Sequence, residues 1–192
     1  MFIFTEFVYI FFRDIADEES WIKEKKLLVG SDDYGRDLNG VLNLKKKHKR
    51  MVSELSNHEA TIESIQLAGQ TLIEASKYGS EEIVQRLNAL AASWKELNDI
   101  AGTRTQKLEE SITYHKFLTR IDEEESWISE KQQLLTVPDL GENMATVQSL
   151  LKKHVAFEND LANHTKKCAE INQAGQELIE ARNHHADSIV QR

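Results

Sequence analysis

The apolar positions of this chain step by three and four. Val41, Leu44, His48, Met51, Leu55, His58, Ile62, Ile65, Gly69 and Leu72 keep that rule without a break. Their mean spacing is about 3.5 residues, the period of a helix that turns one seam toward helical partners. The rule returns at Val147, Leu150, His154, Phe157, Leu161, His164, Cys168, Ile171, Gly175 and Leu178. It also runs through Ile83, Leu87, Leu90, Trp94, Leu97 and Ala101. Phe117, Ile121, Ile128 and Leu135 fit it more loosely, because Glu124 and Lys131 interrupt. Glu18 and Lys25 make the same breaks near the start of the chain, so the breaks look built in.

Turn-forming stretches separate these runs. "GSDDYGR" at 30–36 and "TVPDLGE" at 136–142 divide first from second helices. "KYGS" at 77–80 and "NHHA" at 183–186 divide second from third. Asp37 and Asn143 stand where an N-cap side chain would satisfy the first free amides. Between residues 81 and 135 there is no proline, and Gly102 is the one glycine. A glycine costs a helix about 1 kcal/mol relative to alanine, too little to end it. A single helix is therefore predicted across this stretch, roughly 80 Å long at about 1.5 Å per residue. It would hold two bundles in a fixed relation, as a Gly/Ser linker would not.

The pattern is a repeat. "EESWIKEKKLL" at 18–28 returns as "EESWISEKQQLL" at 124–135, and "AGQTLIEA" at 68–75 as "AGQELIEA" at 174–181. Trp21 and Trp127, His48 and His154, Gly35 and Gly141, and Gly69 and Gly175 all differ by 106 positions. Laid over each other without a gap, residues 13–86 and 119–192 agree at 31 of 74 positions. A fixed period with this much identity implies a duplicated supersecondary unit. The expected organisation is an atypical apolar stretch at 1–10, one three-helix repeat at 11–104, and a second at 105–192. The second is expected to be incomplete at its C-terminal side, since the counterpart of Trp94 would fall at position 200.

Composition narrows the function. Net charge is −8, which argues against a general binder of nucleic acid or acidic lipid. One proline and 29% charged residues favour long helices over sheet. The single cysteine, Cys168, excludes an intrachain disulfide and suits a reducing compartment. The opening "MFIFTEFVYIFF" holds five of the seven phenylalanines. A membrane span needs about 20 apolar residues, and a secretory signal needs a basic start and a small-residue cleavage site. This stretch carries Glu6 and has neither, so direct membrane insertion is not expected. Phe11, Phe12 and Ile15 belong to the repeat. The residues before them should pack opportunistically, extend the first helix as an exposed apolar end, or promote self-association.

Candidate chemistry is thin. "KKKHKR" at 45–50 resembles a nuclear-import or phosphate-binding run, but reads more simply as a solvated helix face around His48. His164 and Cys168 have a metal-capable i, i+4 spacing, yet their counterparts are His58 and Ile62, and isoleucine cannot ligate. His184, His185 and Asp187 are metal-capable types in what reads as a surface loop. The carboxylates of "DEES" and "DEEES" lie along a regular helix, without the cleft that acid–base catalysis needs. No phosphate-cradling glycine loop and no supported nucleophile–base arrangement occurs. The reading is no enzyme, with no catalytic, cofactor-binding or metal residues and no cofactor.

The first-helix "SWI.EK", the middle-helix "LKKH" and the third-helix "SWKELN" at 93–98 carry a family resemblance. With the 106-residue period, they resemble the spectrin repeat. "DYGRDL" at 33–38 and "LLKKHVAFENDL" at 150–161 are similar to alpha chains of that family. The resemblance covers nearly everything from about Phe11 onward. It implies an all-α fold of tandem left-handed three-helix coiled-coil bundles joined by a continuous helix. Trp21, Trp94 and Trp127 would anchor the cores, and His48, His58, His154 and His164 would lie in or beside the seams. The implied function is a structural, elastic spacer or scaffold in an alpha-spectrin-like rod of the cytoplasmic actin cytoskeleton, at the cell cortex under the plasma membrane. The implied partners are a beta-spectrin-like chain, paired laterally and antiparallel, and actin through the full-length assembly. A second reading is an adaptor segment that binds a partner protein through exposed helix faces.

Overall fold

The computed structural model describes residues 2–75, 79–136 and 139–192, with side chains described from Glu6 onward. Met1 therefore lies outside the described residues, as do Lys77 and Tyr78 of the "KYGS" turn and Val137 and Pro138 of "TVPDLGE". Five helices follow in order among the described residues: α1 Phe2–Val29, α2 Leu38–Ala75, α3 Ser80–Leu135, α4 Met144–Glu180 and α5 Ala186–Val190. No strand occurs among the described residues. The chain divides into two compact units, Met1–Glu109 and Glu110–Arg192.

The first unit follows from its seam. Val41, His48, Leu55, Ile62, Ile65, Gly69 and Leu72 of α2 are buried, and Leu44, Met51 and His58 are half-buried. α1 adds Phe11, Ile15, Ile22 and Val29, and α3 adds Ile83, Leu90, Leu97 and Ala101. Fully burying one such large apolar side chain contributes about 1.5–3 kcal/mol, so the seam outweighs helix propensity. Trp21 and Trp94 pack half-buried against this core rather than inside it. At Gly69 a Cβ would lie 2.9 Å from the Phe11 ring and 2.7 Å from Leu87. The bare backbone there lets α1 and α3 close onto α2.

The turns are built as the sequence suggests. Gly40 N donates to Asp37 Oδ1 at 2.7 Å, and Thr146 N donates to Asn143 Oδ1 at 3.0 Å, so both residues cap their helices. Asn143 N also donates to Thr146 Oγ1 at 3.0 Å, the reciprocal bond of a capping box. Two residues before each cap, Gly35 and Gly141 have φ of 84° and 83°, a conformation that glycine adopts without Cβ strain. α3 runs unbroken through Gly102, where a Cβ would meet nothing within 4 Å.

The second unit holds residues 110–135 of α3, with α4 and α5. Its core is small: Phe117, Ile121, Ile171 and Ile189, with Tyr114, Leu118, Ala174, Leu178 and Ile179 beside them. Here the seam prediction needs correcting. Only Ile171 and Gly175 of α4 are buried. Val147 is 43% and Leu161 44% exposed, and Ile128, Leu135 and His154 are exposed too. In the first unit, Leu87, Leu90, Trp94, Leu97 and Ala101 of α3 cover the matching face. Trp127 is half-buried and lies outside this core.

The opening stretch continues α1 as helix from Phe2. Val8 packs half-buried on the first core, while Phe7 and Tyr9 are exposed. Among the described residues, no helix is long and apolar enough to cross a membrane.

Candidate functional site

The polar residues that interrupt the first-helix pattern form the most distinctive site. Glu18, on α1, is buried, and its Oε1 accepts from His58 Nδ1 of α2 at 2.8 Å. The His58 ring lies flat on Trp21, with centroids 3.6 Å apart and planes 13° from parallel. Lys25 Nζ stands 5.4 Å from the Trp21 ring and pairs with Glu54 at 2.9 Å. The second unit repeats the histidine–carboxylate bond, the stack and the lysine beside the indole, though Lys131 pairs with its neighbour Glu130. His164 Nδ1 bonds Glu124 Oε2, His164 stacks on Trp127 at 3.6 Å and 7°, and Lys131 Nζ stands 6.0 Å from that ring.

This arrangement explains why a carboxylate and a lysine occupy apolar positions. A buried carboxylate is costly unless hydrogen-bonded, and the seam histidine supplies the bond. The bond from His164 holds the Glu124 carboxyl below its ordinary range, with smaller help from Lys167. The lysine lies over the same indole, an attraction of about 0.5–1 kcal/mol at exposed sites. Each clamp thus fastens the first helix of a unit to its middle helix.

The remaining candidates are also placed. His48 is buried, and its Nε2 bonds the Ala101 carbonyl at 3.1 Å and Thr105 Oγ1 at 2.9 Å. Burial pushes its pKa down, nearby Arg104 adds to that, and the Ala101 bond opposes it. Lys46, Lys47, Lys49 and Arg50 around it are exposed, and Lys45 pairs with Glu109 at 2.5 Å. That is a solvated face. The "DEES" carboxylates Glu18 and Glu19 pair with His58 and Arg86, so they face separate partners. His164 is held by Glu124 and Trp127, four residues from half-buried Cys168. Among the described residues, no group of three or more His, Cys, Asp or Glu converges to hold a metal ion.

The "NHHA" stretch differs from a plain surface loop. Asn183 is buried, and its Nδ2 donates to the Glu110 carbonyl at 3.0 Å. His185 is half-buried and stacks on Tyr114 at 4.1 Å. Sequence spacing could not disclose this, because Glu110 and Tyr114 lie some seventy positions away.

Comparison with known proteins decides the family. The family model for the spectrin repeat matches residues 8–110 and again 113–192. This chain belongs to the spectrin repeat family. It is 42% identical to the spectrin alpha chain, erythrocytic 1, of Mus musculus over 175 residues, covering 91% of this chain and 7% of that protein. It is 35% identical to the spectrin beta chain of Drosophila melanogaster over 161 residues, covering 84% of this chain and 7% of that one. With the spectrin beta chain, non-erythrocytic 5, of Homo sapiens, identity is 28% over 180 residues, 94% of this chain and 5% of the relative. The chain thus spans a small part of the length of the relatives it matches. The two repeat matches and the helical units describe the same molecule: tandem bundles, each with one Trp–His–Glu clamp.

Proposed function

We propose that these repeats form a structural segment of an alpha-spectrin-like rod, an elastic spacer and scaffold in the membrane-associated actin cytoskeleton. The observation that carries this reading is the duplicated 106-residue unit with α3 running unbroken through the unit boundary. The 42% identity to an alpha chain, against 35% and 28% to beta chains, supports the alpha assignment. In this reading the chain has no catalytic role, cofactor, nucleic-acid partner or membrane insertion. It pairs laterally and antiparallel with a beta-spectrin-like chain. It meets actin only through the full-length assembly, in the cytoplasm at the cell cortex. The residue bounds 11–104 and 105–192 are part of the proposal.

Single-molecule stretching tests the spacer role. A rod segment should yield in separate force events, one per bundle, and refold on relaxation. A featureless extension at low force would reject it. Sedimentation of the chain with beta-spectrin fragments tests lateral pairing, and an unchanged mass across all fragments would remove that part.

One observation favours the adaptor reading. Leu134, Leu135, Leu140, Val147 and Leu151 are exposed along a groove of about 840 Å³ in the second unit. A cluster of exposed apolar side chains marks interaction surfaces. Val147 and its neighbour Leu150 are seam positions, however, so the groove opens onto the inner face of the repeat. The spacer remains the first reading.

A further inference from the structure

Three of the seven histidines gather where α4 turns back onto α3. The turn begins with Arg182 at φ 55°, a left-handed conformation that suits glycine better. Arg182 N bonds the Ile179 carbonyl at 2.9 Å and Asn183 N bonds the Leu178 carbonyl at 3.1 Å, the pattern of a Schellman cap. A strained residue persists where surrounding contacts over-determine it. Here those contacts are Asn183 on the Glu110 carbonyl and two imidazoles on Ser111.

Ser111 lies on α3 and is fully buried. Its Oγ is 3.2 Å from His184 Nε2 and 3.1 Å from His185 Nε2. His184 Nδ1 donates to Glu110 Oε2 at 2.8 Å. A carboxylate only accepts, and a neutral imidazole carries one proton. With both histidines neutral the chain has one order. His185 Nε2–H donates to Ser111, the Ser111 hydroxyl donates to His184 Nε2, and His184 Nδ1–H donates to Glu110. One added proton is absorbed at His184 Nε2 when the hydroxyl reverses and His185 shifts its own proton from Nε2 to Nδ1: His184 then donates to Ser111, and Ser111 donates to His185 Nε2. A second proton has no such outlet. Both Nε2–H groups would point at one oxygen, and the buried hydroxyl hydrogen would lose its acceptor.

We propose that His184, His185 and Ser111 form a pH-operated latch that fastens the α4–α5 turn to α3 in neutral solution and releases it in mild acid. Glu110, Tyr114 and His115 face His185 from α3, and His184 faces it from the turn. Burial, then the charges of His184 and His115, push His185 down to about 4, with Glu110 opposing. The unfolded imidazole takes its proton near 6.5, so the latch is fully made above that pH. Docking then weakens as pH falls from 6.5 toward 4, by up to about tenfold in equilibrium constant per pH unit. Release would expose Ile189, which closes the small core beside Phe117 and Gly175. The latch rests on the turn's contacts alone, independently of the rod assignment.

Two measurements on the full chain test the latch. The first follows the His185 ring proton by NMR through a pH titration. A midpoint at least one unit below 6.5 is expected, and a midpoint at or above 6.5 overturns the proposal. The second compares amide exchange at residues 183–190 at pH 7.5 and 5.0, corrected for intrinsic rates. The wild-type chain should lose protection tenfold or more, while His185→Gln should lose much less. Equal acid loss in both chains overturns the latch. If His185→Gln is already unprotected at pH 7.5, the comparison passes to His115→Gln, which removes a neighbouring charge. That variant should raise the His185 midpoint, and an unmoved or lowered midpoint counts against the proposal.

Discussion

Leu55 and Leu161 occupy the same place in the repeat, 106 positions apart, yet Leu55 is 3% exposed and Leu161 44%. Their helices are nearly equal in length, 38 residues for α2 and 37 for α4. Both carry an unbroken seam and both start from a side-chain cap. The difference lies in what covers them. α2 is enclosed by α1 and by Ile83–Ala101 of α3, while the N-terminal half of α4 lines an open groove with the end of α3 and with Asp139 and Leu140. Periodicity decides which face of a helix is apolar. Burial requires a second surface, and that surface belongs to another stretch of chain.

The largest effect expected from this comparison is an asymmetry between paired truncations. Leu55→Ala should cost about 2–5 kcal/mol, as large-to-small core substitutions do. Leu161→Ala should stay within about 0.5 kcal/mol, as at exposed positions. Urea unfolding with amide exchange read separately over 37–97 and 143–192 would check both. Wild-type exchange should also be slower over 37–97, and similar losses in the two variants would break the contrast.

Glycine substitutions sharpen it at the next scale. Gly69→Ala should cost about 1–3 kcal/mol, because the new Cβ meets Leu87 and Phe11 inside 3 Å. Gly175→Ala should cost less, since its nearest neighbour is the Phe117 ring at 3.0 Å in a more open core. Thermal melts of the two variants would rank them; a larger loss at Gly175 would contradict the packing difference. Gly102→Ala goes the other way and should stabilise by up to about 1 kcal/mol, since its site is helical and open. Destabilisation in a urea titration would mean the backbone there is not regular helix.

Capping gives a smaller change. Asn143→Ala removes one side of a capping box and should cost about 1 kcal/mol. Faster exchange should follow at the first turn of α4 but not of α2.

The smallest effect concerns mild acid in the first unit. Burial lowers the His48 pKa, so the unfolded chain binds a proton at a higher pH than the folded one. Stability is therefore fully present above about 6.5 and declines as pH falls below it. Exchange protection of α2 should fall between pH 7.5 and 5.5, and His48→Gln should flatten that fall. Its counterpart His154 is exposed, with Glu158 Oε1 3.7 Å away.

Much of the fold was legible in the sequence. The seam residues of α2, the caps at Asp37 and Asn143, and the uninterrupted run through Gly102 all depend on local spacing and turn chemistry. The clamps were half legible. Glu18, Lys25, Glu124 and Lys131 stood out as repeated violations of an apolar pattern, and repetition marked them as functional to the fold. Their partners did not, because the Glu18–His58 bond joins positions on different helices and depends on how those helices slide against each other. The tryptophans illustrate the same limit. The family resemblance implied core anchors, whereas Trp21 and Trp127 lie at the edge and cover a histidine. The histidine latch was least legible, since no local rule relates Ser111 to a turn so far along the chain.

The stacked indoles also make the molecule its own optical gauge. An excited indole in face contact with an imidazole loses emission through that contact. The 3.6 Å stacks of Trp21 on His58 and of Trp127 on His164 should leave both fluorophores dim while their helices stay together. Brightening of Trp127 would then report separation of α3 from α4, and brightening of Trp21 separation of α1 from α2. Replacing one tryptophan at a time with phenylalanine would turn a single fluorimeter trace into a record of which bundle opens first.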